Sequence, residues 1–119
     1  MLLGGNEYYQ LNLKGESFRI MAGFGGGLST EDLCGAISGG VAVIGILLTE
    51  KEGYDKGRIK EATKDFIQSF QKELTSTNCK EIKESFREEQ RKCTPVVERG
   101  ANILEETLKK YHTDKDFTD

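Results

Sequence analysis

The sequence predicts one all-α domain, a compact bundle of four or five helices with no sheet. Apolar residues recur at three- and four-residue intervals in four segments, and three of those segments open on capping signals. No run alternates apolar with polar residues as a half-buried strand would. The chain's 119 residues suit one hydrophobic core and are too few for two, so residues 1–119 are expected to form a single domain.

At the N-terminus, Leu2, Leu3, Tyr8 and Tyr9 suggest a stub of helix, and residues 1–12 read as the remnant of a leading helix that starts upstream. Ser17 to Ala22 can form another short helix. Leu33, Ile37, Val41, Ile44 and Leu48 then follow one helical stripe, which predicts a core helix over 30–48. Ser29, with Asp32 three residues later, has the form of its N-cap.

Gly35, Ala36, Gly39 and Gly40 leave one side of that helix without bulk. Glycine inside a helix costs about 1 kcal/mol relative to alanine, so several together imply a spatial reason. The reason is either close approach of another helix, with Gly100-Ala101 as the matching smooth surface, or room for a flat cofactor. The same small-residue helix is a candidate contact for a homo-oligomer.

Ile59, Ala62, Phe66, Phe70 and Leu74, with charges between them, predict an amphipathic helix over 55–74. Asn78 caps a short helix over 79–88, on which Cys79, Ile82 and Phe86 share a face. Thr94-Pro95 reads as an N-cap followed by proline at the first helical position. The last helix is expected over 95–111, with Val97, Ala101, Leu104, Leu108 and Tyr111 inward, and residues 113–119 are expected to fray.

Composition excludes several functions. The 20 acidic and 17 basic residues give a net charge of −3, and the basic ones are mixed with acids, so no nucleic-acid footprint is present. Residues 33–49 carry no charge, yet the run is short and broken by glycines, which favours a buried helix over a membrane span. No basic region or long apolar stretch marks a signal peptide, so a cytoplasmic location is expected. There thiols are normally reduced, and three cysteines cannot all pair within one molecule.

The glycine cluster Gly23-Phe24-Gly25-Gly26-Gly27 does not make a dinucleotide site, because GxGxxG needs glycine where Leu28 stands and no strand precedes it. It reads as a flexible turn whose amides can also receive an anion or let a cofactor approach the backbone. The single histidine, His112, sits at the edge of the expected tail, which argues against a Cys-His nucleophile or a Cys3His zinc site. There is no CxxC or CxxCH. Cys79, in the first turn after Asn78, lies where a helix dipole favours a thiolate and lowers the pKa, although a buried cysteine is also an ordinary small core residue.

Taken together, Phe24-Gly25-Gly26-Gly27, then Cys34-Gly35-Ala36-Ile37-Ser38-Gly39, then Asn78-Cys79-Lys80-Glu81-Ile82 and finally Cys93 resemble the redox-active family named for its C_GCAxxG_C_C cysteine pattern. The resemblance spans about residues 17–105. It implies a site at Cys34, Cys79 and Cys93, with Gly25, Gly26, Gly27, Gly35 and Gly39 beside a bound group. The chemistry implied is thiol/disulfide exchange with a redox partner, or binding of an iron–sulfur cluster or other thiolate-bound metal by the three cysteines.

Two departures accompany the resemblance. No cysteine precedes Cys34, where the family pattern has one, which is expected if the chain starts late. This chain also reads Cys-Gly-Ala where the pattern reads Gly-Cys-Ala. One position on a helix rotates a side chain by about 100°, so Cys34 is expected to face elsewhere and Cys79 and Cys93 to form the better-matched pair. The alternative from another class is a non-catalytic helical interaction domain whose cysteines only pack in the core.

Overall fold

In the computed structural model, residues 1–50, 53–54 and 56–111 are described. Six helices occur among them: α1 (Leu2–Tyr9), α2 (Gly15–Ile20), α3 (Gly35–Leu48), α4 (Lys56–Leu74), α5 (Cys79–Phe86) and α6 (Thr94–Tyr111). The expected four or five become six because both N-terminal segments fold. There is no sheet layer: strand pairing among the described residues amounts to a two-residue ladder between β1 (Thr49–Glu50) and β2 (Gly53–Tyr54), plus two isolated bridges. The expected helical start at residue 55, His112 and the 113–119 tail lie outside the described residues.

The core is a three-helix packing of α3, α4 and α6, with α1 laid on α3. On α4, Ala62, Phe66, Phe70 and Leu74 recur every four residues and are all fully buried. That spacing keeps them on one face. The rings of Phe66 and Phe70 meet edge-on at 6.1 Å between centroids. Facing them are Ile37, Val43, Ile44 and Leu48 of α3 and Val96, Leu104 and Leu108 of α6.

The small residues of α3 serve close approach. A Cβ on Gly40 would lie 2.5 Å from the Phe66 ring, and one on Gly39 would lie 2.6 Å from Met1 Cβ. Across from them, a Cβ on Gly100 of α6 would come within 3.3 Å of Phe70 and 3.7 Å of Ala36. Ala101, expected to share that contact, is exposed instead. The buried face of α6 runs through Val96, Gly100, Ile103, Leu104, Thr107 and Leu108, with the Thr107 hydroxyl donating back to the Ile103 carbonyl at 2.9 Å.

The start of α3 differs most from expectation. Helix begins at Gly35 rather than near residue 30, and Ser29 is not its cap. Residues Gly26 to Ser29 and Glu31 have left-handed backbone angles, with φ between 59° and 64°, and form a wide turn closed by Asp32 N–H donating to the Gly27 carbonyl at 2.9 Å. No described helix is long and apolar enough to cross a membrane.

Candidate functional site

Each cysteine stands at the start of a helix. Cys34 occupies the N-cap of α3 in extended geometry, and its carbonyl accepts from Ile37 and Ser38 at 3.0 and 3.3 Å. Cys79 is the first residue of α5, directly after Asn78, whose side chain caps the helix by accepting from Glu81 N–H at 3.1 Å. Cys93 immediately precedes α6, and its carbonyl accepts the first helical bonds from Val96 and Val97 at 3.0 and 3.1 Å. The cap of α6 is thus Cys93, one residue before the expected Thr94.

Short backbone ties bring these starts together. Leu33 and Asn78 form an antiparallel bridge in which Cys34 N–H donates to Thr77 carbonyl at 2.9 Å and Cys79 N–H donates to Asp32 carbonyl. Because side chains alternate along paired strands, the residues that flank this pair, Cys34 and Cys79, emerge on one face of the bridge. The third start is returned by a turn in which Glu88 and Lys92 exchange two backbone hydrogen bonds, both 2.9 Å, with Lys92 at φ 55°.

All three cysteines line one cavity of about 450 Å³. Gly25, Gly26, Gly35 and Gly39, expected beside the site, line it too. Gly27 does not; it is buried behind Cys79, where a Cβ would lie 2.6 Å from Cys79 Cβ and 2.5 Å from the Asp32 nitrogen. Cys34 and Cys79 are each 7% exposed, whereas Cys93 is half-buried and within reach of solvent. The expectation that the Cys-Gly-Ala order turns Cys34 away is therefore corrected: at an N-cap, ahead of the helix proper, its side chain shares the cavity with Cys79 and Cys93.

Burial sets the resting state of the two inner thiols. It pushes the Cys34 pKa up, against the backbone amides of Ala36 and Ile37, and the nearby Cys79 and Cys93 sulfurs push it further. Burial also raises Cys79, outweighing the Lys83 ammonium that favours its thiolate, with Cys93 and Glu31 adding to the rise. The expected lowering of the Cys79 pKa is thus reversed in direction, because desolvation exceeds what the Lys83 ammonium supplies.

Sequence reasoning missed the cations of the cavity, Lys83, Arg87 and Lys92, and its apolar wall, which includes Met21, Phe24, Ile82 and Val96. The available signal was Cys79, Lys83 and Arg87 at intervals of four, which share one face of a helix. For a metal or cluster the fit is poor: among the described residues no three Cys, His, Asp or Glu side chains are grouped closely enough to hold an ion. The thiols share a cavity without converging on a coordination point.

Fold and cavity together define a small helical protein with three thiols, from three helix starts, on one cavity. The family model described as "Putative redox-active protein (C_GCAxxG_C_C)" matches residues 1–107, and the chain belongs to this family. The match takes in α1 and most of α6, a wider span than the quoted motifs covered. No curated protein and no solved structure matches the chain.

Proposed function

We propose that the protein carries out thiol–disulfide exchange, with Cys93 as the thiol that receives an incoming disulfide and Cys79 as the thiol that resolves it. The observation that carries this reading is that three cysteines from separate helix starts wall one cavity while only Cys93 is substantially open to solvent.

The Cys93 thiolate, its proton released to solvent, attacks one sulfur of a disulfide RS–SR. The S–S bond breaks, a Cys93–SR bond forms and RS⁻ leaves. The Cys79 thiolate then attacks the Cys93 sulfur, expelling the second RS⁻ and closing a Cys79–Cys93 disulfide. Two protein thiols are oxidised, one substrate disulfide is reduced to two thiols, and the two protons pass through solvent.

The raised pKa of Cys79 suits a resolving role. It stays protonated at rest, and it needs to react only when a mixed disulfide is held beside it. Mild oxidation followed by digestion and mass spectrometry tests the pair. A Cys79–Cys93 peptide, lost in either Cys→Ser variant, is the expected result. Both thiols remaining free in every digest would overturn it.

A further inference from the structure

We propose that the cavity is selective for small anionic disulfides, whose negative groups and departing thiolate are received by Lys83, Arg87 and Lys92. The proposal rests on the exchange reading above and names its substrate class.

The charge of the cavity runs against the charge of the chain. Acidic residues outnumber basic ones 20 to 17 overall, yet the cavity wall contains three cations and no carboxylate. Lys83 is engaged by Glu31 at 3.4 Å, an exposed pair that contributes little and can open to a ligand. The Arg87 and Lys92 side chains form no ion pair among the described residues. All three helices that begin at the cysteines direct the positive ends of their dipoles to this region, in the same sense as the side-chain charges.

The rest of the wall fixes the other half of the ligand. Met21, Phe24, Ile82, Val96 and Val97 offer an apolar surface for a carbon body. About 450 Å³ lies within the size range of small-molecule sites. A ligand matching both halves has a compact organic body, carries carboxylate or similar anionic groups and contains a disulfide. When Cys93 attacks, the negative charge that develops on the departing sulfur forms beside Arg87 and Lys92, so the same cations that bind the anion also stabilise the leaving group.

Three disulfide probes of different charge test this on the intact chain: 5,5′-dithiobis(2-nitrobenzoate), a dianion; 4,4′-dithiodipyridine, neutral; and cystamine, a dication. Each second-order rate on folded protein is divided by the rate on the same chain unfolded in urea, which removes intrinsic reactivity. The expected folded-to-unfolded ratio is at least about tenfold larger for the dianion than for the dication and shrinks as salt is raised. The Arg87→Gln/Lys92→Gln variant should lose most of that preference, and the charge-conserving Arg87→Lys/Lys92→Arg variant should retain it. Both positions are exposed, so circular dichroism should show either variant folded.

Equal ratios for the three probes, or a preference that survives removal of both charges, would overturn the anion assignment. Failure of the neutral probe to react with the folded protein would instead sink the exchange reading, so the two failures are distinguishable.

Discussion

Replacing Gly27 by alanine tests whether the wide turn before α3 positions Cys79 or only connects two helices. Gly26 and Gly27 have nearly the same left-handed angles, φ 63° and 64°, so alanine at either meets the same backbone cost of about 1–2 kcal/mol. Their surroundings differ. A Cβ on Gly26 meets nothing within 4 Å, whereas one on Gly27 lies 2.5 Å from the Asp32 nitrogen and 2.6 Å from Cys79 Cβ. Neither neighbour yields easily, since Asp32 presents backbone and Cys79 N–H is bonded to the Asp32 carbonyl. Overpacking of this kind costs about 1–3 kcal/mol. Gly26→Ala should therefore destabilise by about 1–2 kcal/mol and Gly27→Ala by about 2–5, and the entropy removed from the unfolded chain cancels in the comparison. Urea titration followed by circular dichroism measures both, and peptide-mapped iodoacetamide labelling should show faster modification of Cys79 in Gly27→Ala alone. Equal destabilisation by the two substitutions would refute the role assigned to Gly27.

A second glycine pair separates spatial need from helix propensity: Gly40→Ala must force the buried Phe66 ring aside, while Gly45→Ala meets nothing within 4 Å. Chemical denaturation should find Gly45→Ala stabilising by up to about 1 kcal/mol and Gly40→Ala less stable than it by about 1–3. The raised pKa values of Cys34 and Cys79 mean that the folded state holds their protons more tightly than the unfolded one. Their contribution is complete below the ordinary thiol value near pH 8.5 and is lost as pH rises through the folded values. Urea midpoints between pH 7 and 10 should fall with pH, and less so in Cys34→Ala/Cys79→Ala; Tyr9, pushed up to about 12 chiefly by burial, adds its own loss only at higher pH. If oxidation joins Cys79 to Cys93, it closes a loop of about 15 residues, and thermal unfolding should show the oxidised protein more stable by about 3 kcal/mol. No gain over the reduced form would count against an unstrained pair.

The parts of the fold that were legible in the sequence are those decided locally. The α4 stripe at intervals of four is the buried face, and Asn78 caps α5 as expected, its side chain accepting from Glu81 N–H. The start of α3 was not legible. Ser29 and Asp32 have the composition of a cap, but the bridge between Leu33 and Asn78 ties this stretch to a distant segment, leaves Asp32 outside helical geometry and Cys34 extended, and postpones the helix to Gly35. That bridge joins positions 45 residues apart, and no local pattern announces it. On α6 Leu104 and Leu108 are buried as expected and Val97 and Tyr111 pack partly buried against the core, but Ala101 is exposed and the buried face also takes in Val96, Gly100, Ile103 and Thr107, because apolar periodicity gives no weight to Gly100 and Thr107. Gly100 is inward for close approach, and Thr107 can be inward because its hydroxyl is satisfied by its own helix.

At the site, the three cysteines were visible as residues but their relation was not. The reversal of Gly-Cys-Ala to Cys-Gly-Ala suggested a sulfur rotated away, an inference that assumes both positions lie within a helix. They do not: Cys34 is the extended N-cap, and the adjacent Gly35 is the first helical residue. Both positions face the same region, since Gly35 also lines the cavity and a Cβ there would lie 3.5 Å from the Phe24 carbonyl oxygen. The end of a helix tolerates such an exchange where its middle does not, because the backbone is changing direction and neighbouring side chains are not yet separated by a helical rotation. The same placement ties the chemistry to the topology. One two-hydrogen-bond bridge sets two thiols and one tight turn sets the third, so the placement of the thiols depends on one long-range backbone bridge and one local turn rather than on the periodic faces that build the core.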